Sequence, residues 1–271
     1  IFQAVGIYDE VTVSAADSLK ISGLGAFADQ IPTDETNLAW KAAELVARAC
    51  GEDPNIHIQI DKSIPIAAGM AGGSADAAAT LVACDTYWNA GIPRDQLDAM
   101  AATLGSDVPF MLHGGCALGV GRGDVLSPVM IRGSFHWVFA TFDEGLSTAQ
   151  IYEKTDELRG LEFEAEPEVP SELLSALARG DAPALGRLLH NDLQLAATTS
   201  RPLLGRVLEQ GIDYGALGAI VSGSGPTCAF LVRDESSAID LVVALKASGL
   251  VDDVLRTHGP VHGARVISTS R

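Results

Sequence analysis

The stretch Pro65-Ile66-Ala67-Ala68-Gly69-Met70-Ala71-Gly72-Gly73-Ser74-Ala75 holds the residue types best suited to chemistry in this chain. Its three glycines lack Cβ atoms, so the backbone can curl tightly and converge its N–H groups on one point. An alanine-rich segment, predicted helical from Ala75 to about Trp88, follows directly. It adds the unsatisfied N–H groups and the positive dipole end of a helix N-terminus. Together these form an anion cradle of the kind that holds phosphate. The plainer alternative is a glycine loop that only leads into a buried helix, and the local residue types leave both open. The Walker-type phosphate loop is excluded, because it needs a Gly-Lys pair and the sequence contains none.

Two other places carry reactive groups. Asp107, in Gly105-Ser-Asp-Val-Pro-Phe110, is expected just after a helix and before a segment held extended by Pro109. There a carboxylate either satisfies nearby backbone N–H groups or acts on a substrate proton. Ser222-Gly-Ser-Gly-Pro-Thr227, between two predicted strands, is either a tight connection or a second nest of N–H groups and hydroxyls. Gly23-Leu-Gly-Ala-Phe-Ala28 imitates a dinucleotide fingerprint, but Gln30, Pro32 and Asp34 interrupt the helix that should follow. His258 and His262 have the spacing of a zinc helix, which Gly259-Pro260 forbids.

The elements that must position these groups follow from periodicity. Strands are predicted over 1–13 and 18–22, and a helix capped by Thr36 or Asn37 runs to about Ala49. The alternating strand Ile56–Ile60 delivers the chain into the glycine loop. Arg94–Leu104 reads as a helix ended by Gly105, and a strand-and-glycine region spans 114–123. A new strand begins at Phe135, so the break between two domains, 1–133 and 134–271, is placed beside Gly133. Glu162 to Pro170 reads as an acidic surface loop. Helices are predicted over 171–179, 182–190, 202–210 and 236–248, with strands over 219–222, 227–232 and 263–268.

The chain has 271 residues, 47% of them apolar and 20% charged, so a sizeable core and a globular fold are expected. Thirty-five acidic against 18 basic residues give a formal net charge of -17. That field disfavours nucleic acid and anionic membranes as partners, and a bound phosphate must be held by local N–H groups with help from a divalent metal. The four cysteines are widely spaced with no C-x-x-C pair, which predicts buried free thiols and a reducing, cytoplasmic setting. No apolar run reaches membrane-spanning length, and no signal peptide opens the chain. The first residue is Ile, already in a predicted strand, so the chain is expected to begin inside a domain.

Taken together, Pro65–Ala75 and Gly223-Ser224-Gly225-Pro226-Thr227 resemble the second and third motifs of the GHMP kinase superfamily of small-molecule kinases. Asp61-Lys62-Ser63-Ile64-Pro65, Leu104–Phe110 and the segments around Asn37 and Gly259 extend the likeness over nearly the whole chain. They are most similar to actinobacterial members acting on 4-diphosphocytidyl-2-C-methyl-D-erythritol. The resemblance implies an α+β fold with a ribosomal-S5-domain-2-like N-terminal domain, a ferredoxin-like C-terminal domain and a site in the cleft between them. It implies ATP with Mg2+ as cofactors, the loop Pro65–Ala75 around the ATP phosphates, and Asn37 and Lys62 toward the adenosine. It assigns Asp107 as the catalytic carboxylate and places Gly223, Ser224, Gly225 and Thr227 beside the substrate. Tyr152 is a candidate to stack on a cytosine ring, although a buried aromatic is the plainer reading. The family's first motif, which supplies a lysine partner for the aspartate and a base-reading histidine, is absent from these 271 residues. The polypeptide as written is therefore expected to be inactive, and the missing segment is expected to exist in the native protein. The alternatives are another small-molecule kinase of the superfamily, such as a homoserine kinase, and a non-catalytic nucleotide-binding protein on the same scaffold.

Overall fold

The computed structural model describes residues 1–66, 68–160 and 169–269. Ala67 and the greater part of the expected acidic loop, 161–168, lie outside the described residues. The chain divides into two compact units. One takes residues 1–66, 71–128 and 260–269, and the other takes 129–259 together with Ala68, Gly69 and Met70.

In the first unit the elements are β1 (Phe2–Gln3), β2 (Glu10–Ala15), β3 (Lys20–Gly25), α1 (Leu38–Cys50), β4 (Ile56–Lys62), α2 (Gly72–Tyr87), α3 (Arg94–Leu104), α4 (Val108–His113), β5 (Cys116–Val120) and β6 (Val125–Pro128). β4 is the centre of a three-stranded sheet, antiparallel to β2 and parallel to β3. Its alternation turns Ile56, Ile58, Ile60 and also Lys62 to the buried face. α1 buries Ala39, Ala42, Ala43, Val46 and Ala47, the spacing of one helical stripe. α2 is buried through Ala77, Ala78, Leu81 and Cys84, and the small side chains of both helices let their backbones approach closely. A smaller antiparallel sheet, β1-β5-β6, stands beside this core.

Five expectations are corrected here. The strand predicted over 1–13 breaks after Gln3, because Ile7 N–H turns back to the Val5 carbonyl and the chain re-enters a sheet only at Glu10. The helix after the glycine loop begins at Gly72, so Gly72, Gly73 and Ser74 form its first turn. Val108–His113 is helical and not extended, since Pro109 at the helix start loses no needed N–H bond. Residues 263–268 form no strand and leave Val266 and Ile267 exposed. Residues 260–269, expected in the second half, pack with the first unit, with Val261 N–H on Ala4 O and Ala264 N–H on Met111 O.

In the second unit the elements are β7 (Phe135–Thr141), α5 (Thr148–Arg159), α6 (Ser171–Arg179), α7 (Ala182–Arg187), α8 (Gln194–Ser200), α9 (Leu203–Asp213), β8 (Gly218–Val221), β9 (Cys228–Val232), α10 (Glu235–Ser248) and β10 (Asp253–Gly259). The sheet is antiparallel throughout, in the order β10-β7-β9-β8. Val138, Ala140, Val221, Cys228 and Phe230 meet Ile151, Ala197, Leu204, Val207 and Leu241 in one core. The mixture of helices and sheets in both units is the expected α+β class.

Candidate functional site

The glycine loop is held at both ends. On its N-terminal side, Lys62 is 1% exposed, and its Nζ lies 2.5 Å from Asp9 Oδ2 and 2.6 Å from Asp76 Oδ2. Asp9 Oδ1 also accepts the N–H groups of Ser63 (2.7 Å) and Ile64 (2.8 Å), the residues leading into Pro65. One buried ammonium thus joins the end of β4, the segment before β2 and the second turn of α2. Asp9 receives three donors, whereas Asp76 receives only Lys62, and its Oδ1 is buried without a partner among the described residues. Burial therefore pushes the Asp76 carboxyl from its ordinary 3.8 up to about 7, against the pull of Lys62 and with a further push from Asp9.

The middle of the loop is tied to the second glycine motif. Ser222 Oγ donates to the Gly69 carbonyl at 2.8 Å, and Thr227 N–H donates to the Ala68 carbonyl at 3.4 Å. Gly69 has φ +73, and an added Cβ there would run into the Ser222 carbonyl oxygen, so only glycine fits. Asn191 Nδ2 donates to the carbonyls of Val221 and Gly223, both at 2.8 Å, and Gln194 Oε1 accepts Val221 N–H at 3.0 Å. Ser224 shares a hydroxyl bond of 2.9 Å with Thr148, and the Thr227 hydroxyl is buried with no partner among the described residues. The two glycine motifs, 153 residues apart at Gly69 and Ser222, are brought into direct contact.

The first turn of α2 remains open. Ala71 enters it with φ +53, and no side chain caps Gly72, Gly73 or Ser74. Their N–H groups precede the first intrahelical donor, Ala75 N–H on Ala71 O, so they are available to a ligand. Gly73 is exposed, and a Cβ added to it meets nothing within 4 Å. Packing therefore does not require glycine at this position, although glycine costs a helix about 1 kcal/mol relative to alanine. Ala75 follows within the helix, Pro65 is buried and Ile66 and Met70 are half-buried.

Asp107 stands immediately before α4, and its side chain makes no capping bond. Burial raises its carboxyl pKa above the ordinary value. Asn37 and Lys62 are already committed. Asn37 Oδ1 accepts Ala39 N–H at 2.9 Å as the cap of α1, and its Nδ2 donates to Pro32 O at 2.7 Å. Any contact of these two with a nucleotide would fall to their backbones or to the second amide hydrogen of Asn37. Tyr152 is 55% exposed on α5, which corrects the expectation of a buried aromatic. Cys84, Cys116 and Cys228 are buried and Cys50 half-buried, all four as free thiols. Asp9 and Asp76 were missed from sequence, although extending the β4 alternation by one step already puts Lys62 in the core, where it needs acidic partners.

Residues 37–115 match the GHMP kinases N terminal domain, and residues 173–250 match the GHMP kinases C terminal domain. A relative from Mycobacterium tuberculosis (strain ATCC 25618 / H37Rv), a 4-diphosphocytidyl-2-C-methyl-D-erythritol kinase, is 53% identical over 268 residues, spanning 99% of this chain and 84% of its own. The chain belongs to the GHMP kinase family. A second relative of that name, from Mycolicibacterium gilvum (strain PYR-GCK), is 52% identical over 270 residues, with 98% and 84% covered. Among solved structures, a 4-(cytidine 5'-diphospho)-2C-methyl-D-erythritol kinase superposes with a TM-score of 0.74 at 29% identity, over 94% of this chain and 87% of its own. Homoserine kinase from Cytophaga hutchinsonii reaches a TM-score of 0.76 at 18% identity over 97% and 89%, a likeness of fold alone. The family expected from Pro65–Ala75 and Gly223–Thr227 is the family found.

In this GHMP kinase the buried triad makes a stability prediction with a sign. Lys62→Met leaves two carboxylates facing each other without their cation and should cost about 3–5 kcal/mol. Asp76→Asn keeps a balanced Lys62–Asp9 pair and should cost far less. An Asp76 carboxyl with a raised folded pKa binds more protons folded than unfolded between pH 3.8 and about 7. Its contribution is thus complete below 3.8 and lost as pH rises through 7. Urea midpoints measured from pH 4 to 8 should show wild type losing ground to Asp76→Asn as pH increases.

Proposed function

We propose that this GHMP kinase transfers the γ-phosphoryl group of ATP to the 2-hydroxyl of 4-diphosphocytidyl-2-C-methyl-D-erythritol, as a cytoplasmic enzyme. The observation that carries the reading is identity above 50% along almost the whole chain to relatives named for that substrate. The geometry supports phosphoryl transfer, in which positioning and charge stabilisation matter more than covalent chemistry. The N–H groups of Gly72, Gly73 and Ser74 are the donors for ATP phosphate oxygens, with Pro65–Met70 shaping the approach and Ala71 and Ala75 completing the turn. Ser222 and the Thr227 N–H hold the loop through its Gly69 and Ala68 carbonyls, and the turn Gly223-Ser224-Gly225 with Thr227 is assigned to the substrate side.

In the reaction the substrate hydroxyl oxygen bonds to the γ-phosphorus as the bond to the β-bridging oxygen breaks, and ADP leaves. The hydroxyl proton passes to Asp107, whose carboxylate has no competing cap bond and whose raised pKa makes it a better acceptor near neutrality. No three His, Cys, Asp or Glu side chains converge into a metal cage among the described residues. A Mg2+ ion held mainly by phosphate oxygens needs no such cage, and the uncommitted hydroxyl of Ser74 is the protein group that fits it. When bound, it would neutralise charge on the transferring phosphoryl group.

The direct test is ATP consumption by the full-length protein with 4-diphosphocytidyl-2-C-methyl-D-erythritol and with homoserine in parallel. Turnover is expected with the first only, and phosphorylation of homoserine instead would overturn the substrate assignment. Asp107→Asn should lower kcat by about 10²–10⁴ with unchanged circular dichroism. Wild-type kcat should fall as the pH drops through the raised pKa of Asp107, because the protonated acid cannot accept the hydroxyl proton.

Gly73→Ala separates folding from binding. Replacing an open helical glycine should raise the thermal midpoint, by about 1 kcal/mol of stability at most. The new methyl group would occupy the phosphate approach, so KM for ATP should rise. A variant that is more stable and binds ATP as tightly as wild type would remove the first turn of α2 from the phosphate site.

A further inference from the structure

A cavity of about 350 Å³ lies in the first unit, away from the glycine loop, where residues 260–269 return to the body of the unit. Its walls carry Arg94, the first residue of α3, His113, the last residue of α4, and His262 and Arg265 from the returning segment. The backbone fixes this assembly. Gly115 N–H donates to Val261 O at 2.7 Å, Gly263 N–H to His113 O at 3.3 Å and Ala264 N–H to Met111 O at 2.9 Å. Gly263 cannot be replaced without collision, because an added Cβ would stand 2.6 Å from the carbonyl oxygens of Met111 and Leu112.

The charge at this place runs against the rest of the chain. Two guanidinium groups and two of the six histidines converge in a protein of net charge -17. One carboxylate faces them: Asp98 of α3 lies 2.9 Å from His113 Nε2 and 3.9 Å from Arg94 Nε. Arg94 is further oriented by a 2.8 Å bond from its guanidinium to the Leu112 carbonyl. Arg265 and the His262 ring make no side-chain hydrogen bond or ion pair among the described residues, and both are exposed to the cavity mouth. Asp98 therefore stands against Arg94 and His113, and Arg265 has no ion pair among the described residues. α3 itself starts without a side-chain cap, so its first N–H groups add to the same positive potential.

We propose that this cavity is a binding site for a small phosphate- or diphosphate-bearing anion, separate from the glycine loop. A planar guanidinium donates two parallel hydrogen bonds to phosphate oxygens, and the unengaged Arg265 fork with the His262 ring matches a multivalent anion better than a single carboxylate. Arg94 and His113, bonded to each other at 3.4 Å and to Leu112 O and Asp98, form the fixed positive wall behind them. The volume lies at the lower end of the range for ligand sites, about 300–1,000 Å³, and accommodates a phosphate or diphosphate group. Such an anion would bridge α3, the C-terminal end of α4 and the returning segment. α4 is the same short helix whose opposite end follows Asp107.

The test uses inorganic pyrophosphate, orthophosphate and malonate as separate titrants of the full-length protein, read by calorimetry and by the imidazole resonances of His113 and His262. Pyrophosphate and orthophosphate should shift both rings and malonate should bind at least tenfold more weakly. Read by the two imidazole resonances, Arg265→Glu should weaken pyrophosphate binding at least tenfold, Arg265→Lys should restore part of it, and Gly73→Ala, which alters the glycine loop, should leave this ring titration unchanged. Both Arg265 substitutions fall on an exposed side chain, and thermal midpoints equal to wild type would verify that they fold. The proposal is overturned if pyrophosphate at millimolar concentration moves neither ring, if Arg265→Glu binds it as wild type does, or if Gly73→Ala abolishes the titration. Malonate binding as tightly as pyrophosphate would overturn the phosphate assignment.

Discussion

A single buried ammonium group holds the site together. Lys62 sits at the end of the central strand, on the face that otherwise carries Ile56, Ile58 and Ile60, and a charge in that position must be matched or it unfolds the core. Asp9 and Asp76 match it, and in doing so they tie together the end of β4, the segment before β2 and the second turn of α2. Asp9 also fixes the backbone of Ser63 and Ile64, so the loop leaves β4 in a defined direction. Asp76 fixes the start of α2 relative to the same strand. The geometry of the open first turn, Gly72 to Ser74, follows from these two anchors.

The loop is then set from its other side by backbone hydrogen bonds and close contact. Gly69 passes the Ser222 carbonyl so closely that a methyl group is excluded, and the Ser222 hydroxyl closes on the Gly69 carbonyl. Asn191 and Gln194 brace the second glycine turn through three hydrogen bonds, which makes it a firm support. Glycine therefore serves two different ends in one motif. At residue 69 it answers a steric demand of the protein itself, and at residue 73 it leaves space that the protein does not fill.

Much of this was legible in the sequence, and the failures have physical reasons. α1 and α3 were readable because each carries a helical stripe and a terminal signal: Asn37 caps the first, and Gly105 ends the second. α5 went unread although Ser147-Thr148-Ala149-Gln150 has the spacing of a capping box, because its body has only a weak apolar stripe, with Ile151 and Thr155 buried. β10 was displaced onto 263–268 because Val266 and Ile267 look more strand-like than Asp253–Gly259. The edge position of β10 in the sheet tolerates its polar residues, and pairing with β7 along the whole strand decides the matter. The Lys62 triad was hidden because its acids are 53 and 14 residues away, and tertiary folding alone brings them together.

The overall charge of -17 makes anion binding here a problem of range. Surface carboxylates repel an approaching phosphate only within about one Debye length, roughly 8 Å at physiological ionic strength, so they slow encounter more than they oppose the bound state. Once the anion is in place, directed N–H groups act at hydrogen-bond distance and in a partly water-excluded setting, where they outweigh the diffuse field. Lys62 contributes little net charge to this, since its neighbours already neutralise it. Its value to the cradle is mechanical, in that it sets where the N–H groups of α2 point. The positive potential that remains comes from the backbone at α2 and from guanidinium groups at α3 and the returning segment. A chain this acidic can therefore hold phosphate chemistry without a broad basic surface, provided that each anion-binding spot is built from fixed donors.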